Sequence, residues 1–148
     1  MTLYILTWVE WNGALKENII SRFLTRKYRL HSVLRQVLYK DEYWERIFVA
    51  IENNNIAGHC SLNEKDSVPD VEYTPYIQAV FVNEQFRGKR LSEKLILCAM
   101  SYAKTLGFEK VYIVSDHKNF YEKYGFIKID EGNDYRGELQ SIFVQKIQ

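Results

Sequence analysis

The chain has little of what usually marks a special environment. Among its 148 residues there are two cysteines and two prolines. Cys60 and Cys98 each sit inside an apolar stretch. They read as core thiols of a reducing compartment, not as a disulfide framework or a metal site, and no metal is expected. Neither sign of charge predominates. A net charge of +1 gives no general electrostatic case for nucleic acid or membrane partners. No apolar run is long enough to span a bilayer. The opening Met-Thr-Leu-Tyr-Ile-Leu-Thr-Trp has no basic region before its apolar run and no small-residue cleavage site, so a cytoplasmic protein is expected. Repeats, low-complexity segments and linkers are also missing, and the length suits one domain over residues 1–148 with a proper core. What is plentiful is aromatic: eleven Tyr, eight Phe and three Trp.

Apolar periodicity sets the elements. Thr2 to Trp8 is a short run of β formers. Ala14 to Lys27 is an amphipathic helix with Leu15, Ile19, Ile20, Phe23 and Leu24 on one face. Ser32 suits the cap of a second helix, from Val33 to about Trp44. Ile47–Ile51 and Ile56–Leu62 flank an Asn-rich turn, a hairpin signal. Asn63 to Pro75 is polar and reads as a surface loop. Tyr76–Val82 is a nearly continuous apolar run with one polar member, Gln78, which suits a strand covered on both faces. A helix follows to about Gly107, with Leu91, Leu95, Cys98, Tyr102 and Leu106 spaced for a buried stripe. Lys110–Ser115 is again a buried strand, so the two strands and their helix form a βαβ unit with parallel strands. Asn119–Tyr124 is a short helix ended by Gly125. Strands at Phe126–Asp130 and Leu139–Ile147 flank a polar turn holding Gly132, Asn133 and Gly137. The fold class is α/β (α+β): a mixed sheet of about seven strands around that βαβ unit.

The turn between strand and long helix carries Arg87, Gly88, Lys89 and Arg90. A helix start offers free backbone N–H groups and the positive end of its dipole, which together attract phosphate. A solvated basic turn would carry the same residues. The full stretch, Val82-Asn-Glu-Gln-Phe-Arg-Gly-Lys-Arg-Leu-Ser92, resembles the acetyl-CoA loop of the GNAT superfamily of N-acetyltransferases. That loop usually reads Arg/Gln-x-x-Gly-x-Gly/Ala. Here Arg90 stands where Gly is usual and Ser92 where Gly or Ala is usual. A second stretch, Asn119-Phe-Tyr-Glu-Lys-Tyr-Gly-Phe126, is similar to the family's Asn-x-x-x-x-x-Gly-Phe ending. The order of elements also matches the family's mixed sheet with helices on both faces.

The resemblance implies acetyl transfer from acetyl-CoA, as co-substrate, to a primary amine of a small molecule or peptide. It implies that backbone N–H groups from Gly88 through Lys89, Arg90 and Leu91 to Ser92 cradle the pyrophosphate, with Arg87, Lys89 and Arg90 adding charge and the Ser92 hydroxyl another donor. The backbones of Phe81 and Val82 would pair with the pantetheine arm. An Arg at position 90 must point its side chain away to leave room. Asn119 would hold that arm or cap the short helix. Tyr121 takes the place of the general acid. A thiol has a reference pKa of about 8.5 and a phenol about 10, so a placed Tyr can protonate or hydrogen-bond the departing sulfur. An amine must lose a proton before attack, and His117, beside Asp116 after the parallel strand, titrates in the useful range. His59, Asp70 and Glu72 are further candidates for that base. Trp8, Trp11, Tyr73, Tyr76 and Tyr135, with the acidic loops around Asp66 and Asp130, fall on the acceptor side. The competing reading is a non-catalytic acyl-CoA sensor or interaction module on the same fold. A homodimer through the last strands fits the layout, but no residue pattern demands it.

Overall fold

The computed structural model describes residues 2–6, 44–53 and 55–148. Seven strands form one sheet in the order β1-β2-β3-β4-β5-β7-β6. They are β1 (Thr2–Leu6), β2 (Arg46–Glu52), β3 (Asn55–Asn63), β4 (Tyr76–Val82), β5 (Lys110–Ser115), β6 (Ile127–Asn133) and β7 (Leu139–Lys146). Every neighbouring pair is antiparallel except β4 and β5. A long helix, Leu91–Thr105, makes the crossover between those two, so the expected βαβ unit is present. The helices expected before Trp44 lie outside the described residues, as do Trp8 and Trp11.

Local chemistry accounts for most of the connections. The β2–β3 turn is closed with Asn53 in the left-handed region (φ 51°), a conformation Asn tolerates. Gly125 (φ 94°) ends the single turn of 3-10 helix at Tyr121–Tyr124, which stands where a short helix was expected. The polar turn before β7 is shorter than the sequence indicates. Gly132 and Asn133 belong to β6, and the chain reverses around Asp134 instead. Its Oδ1 accepts the backbone N–H groups of Arg136 (2.9 Å) and Glu138 (3.0 Å), and Gln140 donates to Oδ2 at 3.1 Å. Although burial opposes the charge, these donors and the Arg136 guanidinium hold the Asp134 carboxyl below its usual range. The Asn63–Pro75 loop is not wholly superficial, because Val68 is buried against Gly132.

The core lies between the long helix and β2, β3 and β4, where Phe48, Cys60, Leu62 and Ile77 meet the helix. The buried stripe of the helix differs from the expected one. It runs through Leu91, Leu95, Ile96, Ala99, Met100 and Ala103, while Cys98 and Tyr102 are half-buried and Leu106 is exposed. Leu91, Leu95, Ala99 and Ala103 follow at four-residue spacing along it, with Ile96 and Met100 beside them. Under the long helix, β3 and β4 approach so closely that a Cβ on Gly58 would lie 2.6 Å from the Phe81 carbonyl oxygen and 3.1 Å from Leu95.

Candidate active site

β4 and β5 are parallel neighbours, yet their ladder holds at one register position only, Tyr76 opposite Tyr112. Beyond it the strands part. β4 carries an irregularity at this point: Ala79 has φ 51°, and two steps of β3 (His59 to Ser61) oppose three steps of β4 (Gln78 to Phe81). Such a bulge bends a strand and re-aims its backbone groups. The other edge of β5 is fully paired with β7, from Lys110 to Ser115. The edge of β5 beyond Tyr112 that faces β4 therefore has no strand opposite it.

The gap is a cleft of about 760 Å³. Ile77–Val80 form one wall and Ile113–His117 the other, with Tyr121 between them. Its far rim holds Glu45, Asn63 to Ser67, Asp134 to Arg136 and Gln140. Backbone groups left without a ladder are strong hydrogen-bonding partners for any extended chain laid between the strands.

The basic turn closes the carboxyl end of β4. Gly88 has φ 82°, with open space around its α-carbon. Arg90 has φ 55° and ψ 33°, the left-handed conformation that a glycine would take freely and that costs an Arg on the order of 1 kcal/mol. Its side chain is turned away as expected, bonded to Glu93 and set 5.6 Å from the Tyr124 ring centroid. The helix ladder starts only at Lys94, whose N–H donates to the Arg90 carbonyl at 3.2 Å. The N–H groups of Gly88 to Glu93 meet no acceptor among the described residues. That is a run of free donors at the positive end of a helix, the arrangement that suits a phosphate. Leu91 is buried and can offer only its backbone. The Ser92 hydroxyl is shared with Tyr124 Oη at 2.7 Å, so the loop is tied to the Tyr121–Tyr124 turn. Arg87 is tied too: its Nε donates to the Val82 carbonyl at 3.1 Å. Phe81 and Val82 lie upstream of the turn, level with His59 and Gly58, and the cleft wall itself begins at Val80.

Tyr121 is 7 % exposed and packs edge-on against Phe120 and Phe126. Burial, together with Cys60, Tyr124 and Asp66 nearby, pushes its phenol up to about 12. It is therefore a protonated donor at any ordinary pH. Burial drives the Cys60 thiol upward as well. His117 stands at the cleft mouth with an exposed ring, its Nδ1 2.9 Å from Ser115 Oγ and its backbone N–H donating to that hydroxyl at 3.0 Å. Asn119 is exposed in the left-handed region (φ 58°), and the 3-10 turn has no side-chain cap. Asn119 thus bends the chain into Tyr121 and does not cap it.

The other candidate bases separate. His59 is buried, stacked on Phe81 at 5.3 Å, and desolvation lowers it to about 4 against a backbone hydrogen bond at Ala79. It is absent from the cleft wall, and Asp70 and Glu72 are exposed outside it. Tyr135 is on the rim, whereas Tyr73 and Tyr76 stack around Tyr112. Two cleft residues escaped the sequence reading. Gln78 was visible as the one polar member of an apolar strand. Glu45 carried no local signal, since a carboxylate just before a strand looks like any solvated flank.

The acetyltransferase (GNAT) family model matches residues 9–126 of this chain. No curated protein matches it by sequence. Solved structures are similar in fold. An aminoglycoside 6′-N-acetyltransferase complexed with coenzyme A superposes with TM-score 0.74 at 11 % identity, over 100 % of this chain and 98 % of that one. The aminoglycoside 6′-N-acetyltransferase from Enterococcus faecium gives TM-score 0.73 at 12 % identity, again over 100 % and 98 %. YncA from Salmonella typhimurium, solved with its cofactor acetyl-CoA, gives 0.66 at 17 % identity, over 99 % and 94 %. With a family model spanning most of its length and a sheet that parts at the same βαβ unit from which the loop and tyrosine motifs were read, the chain belongs to the GNAT family of acetyltransferases.

Proposed function

We propose that this protein moves an acetyl group from acetyl-CoA to a primary amine of a small molecule or peptide, by direct attack in a ternary complex. The observation that carries the reading is the parting of β4 and β5 directly before a run of unpaired backbone donors. Acetyl-CoA supplies an activated acyl thioester. The N–H groups of Gly88 to Ser92 would hold its pyrophosphate, with Lys89 and Arg87 at the rim. Its pantetheine arm, extended and amide-bearing, suits the unpaired strand edges of the cleft. The bulged stretch Ala79–Val82 would supply the backbone groups for that pairing, the Val82 carbonyl keeping a second lone pair beside its bond from Arg87.

In the transfer, the amine nitrogen forms a bond to the acetyl carbon as the carbon–sulfur bond breaks and the electron pair leaves on sulfur. Tyr121 presents its phenol proton to that sulfur. Burial holds that phenol up to about 12, so it stays protonated as a hydrogen-bond donor to the sulfur. His117, at the cleft mouth, takes the ammonium proton to solvent. Five acidic residues among the described lining (Glu45, Glu64, Asp66, Asp116 and Asp134) outnumber Lys65 and Arg136, which favours a cationic acceptor. Aminoglycoside acetyltransferases and a spermidine N-acetyltransferase are among the structures of this fold.

Calorimetric titration with acetyl-CoA, CoA and ATP, followed by thiol release across amine classes, tests the reading. Saturable binding of acetyl-CoA and CoA but not ATP, with thiol release on adding an amine, is expected. Binding without release from any amine would leave an acyl-CoA sensor. Absence of binding at millimolar ligand would refute the cofactor assignment itself.

A further inference from the structure

We propose that Glu45 is the counter-ion of the acceptor's ammonium group, which makes it the residue that selects a charged acceptor over a neutral one. The assignment rests on the reading of the cleft as an acetyltransferase site. Glu45 is 8 % exposed and lines the cleft at the start of β2. Its carboxylate is held by two neutral donors. Asn63 Nδ2 gives to Oε2 at 3.0 Å, and the Glu64 backbone N–H gives to Oε1 at 3.2 Å. Turned over, the Asn63 amide would set its oxygen against the Glu45 carboxylate, acceptor against acceptor, whereas as it stands its Oδ1 accepts from Ser61 Oγ at 2.6 Å. Asn63 therefore keeps a donor on Glu45, and the carboxylate stays aimed at one place.

What the carboxylate lacks, among the described residues, is a cation. No Lys, Arg or His among the described residues forms an ion pair with it. The adjacent Arg46 is directed elsewhere: its Nη1 donates to Glu45's own backbone carbonyl at 2.7 Å, and its guanidinium lies 5.7 Å from the Tyr102 ring centroid, on the long helix. A carboxylate this buried is costly unless a positive partner completes it. The register puts that missing partner at the right end of the cleft. Along β4, Val82 leads to the phosphate-suited turn, Ala79 carries the bulge, and Tyr76 lies opposite Asn63, beside Glu45. Glu45 thus faces the cleft from the pole opposite the coenzyme turn, where an acceptor entering against a bound acyl-CoA would bring its ammonium.

The test uses CoA-loaded protein, with CoA binding measured first. It is titrated with 1,4-diaminobutane and with 1,4-butanediol, a neutral analogue of the same length. Wild type should bind the diamine at least tenfold more tightly than the diol. Glu45→Gln, which keeps an acceptor oxygen for Asn63 or Glu64, should lose that preference by tenfold or more while CoA affinity stays within twofold. Glu45→Asp should retain most of it, a rescue that a merely structural role would not give. The assignment is overturned if wild type shows no preference for the diamine, if Glu45→Gln keeps the preference, or if that variant loses CoA affinity in parallel. Failure of wild type to bind CoA at all would remove both this assignment and the acetyltransferase reading beneath it. CoA binding without diamine preference removes this assignment alone.

Discussion

Two buried residues near the cleft, Tyr121 and His59, show how one environment yields opposite chemistry. Burial disfavours the charged form of each. For the phenol this keeps a proton in place; for the imidazole it keeps one out. Tyr121→Phe removes only the phenol, and the ring would still pack against Phe120, Phe126 and Phe143. Turnover should fall by roughly 100-fold with acetyl-CoA affinity nearly unchanged, as steady-state kinetics beside calorimetry would reveal. His59 bears on stability instead. Its folded pKa of about 4 lies below the ordinary 6.5, so between those values the unfolded chain binds more protons. Stability is full above pH 6.5 and declines as pH falls toward 4, by on the order of 3 kcal/mol. Denaturant melts at pH 7 and pH 4.5 should show the loss, and His59→Gln should flatten it. The position of Tyr121 before Gly-Phe was legible in the sequence. The burial of His59 was not, since it depends on which face of β3 the bulge turns toward Phe81.

At the scale of elements, the decisive feature is the close contact of β3 with β4. Gly58 sits opposite Val82, and the Phe81 carbonyl occupies the space a side chain would need. Gly58→Ala must therefore push β4 outward just before the coenzyme turn. A cost of about 1–3 kcal/mol in stability is expected, together with weaker CoA binding, because the strand edge and the turn move together. Unaltered melting and titration curves for this variant would show that β4 is not held by the contact. The order strand, basic turn, helix was read correctly, and the Arg90 side chain lies on Glu93 and over the Tyr124 ring. One detail needed a neighbour distant in sequence: Ser92 is engaged by Tyr124. The helix stripe was misread for a related reason. Hydrophobic spacing marks a face, but the sheet it packs on decides where that face is centred, and here it buries Ala99 and Ala103 more deeply than Cys98 and Tyr102.

For the whole molecule, coenzyme binding should appear as stability. The cleft joins β4, β5 and the Tyr121 turn, so a ligand laid across it binds only the folded chain. At a hundred times its Kd, CoA should add about 2.7 kcal/mol and raise Tm by roughly 5–10 °C, measurable by thermal shift. ATP at the same concentration should not match it. No shift with CoA would contradict the site as placed.

The sequence by itself determined the order of the described strands and the long helix, the βαβ unit, the basic turn at the helix start and the place of Tyr121 before Gly-Phe. Those depend on periodicity and on residues within one turn or strand of each other. Tertiary structure alone decided that β4 and β5 separate after one paired position, and that His59 is sealed away while His117 stays at the mouth. It also brought Glu45, from the start of β2, to the far pole of the cleft without a counter-ion among the described residues. Strand pairing and desolvation are properties of segments far apart in the chain, and no local pattern encodes which of their polar groups remain unmet.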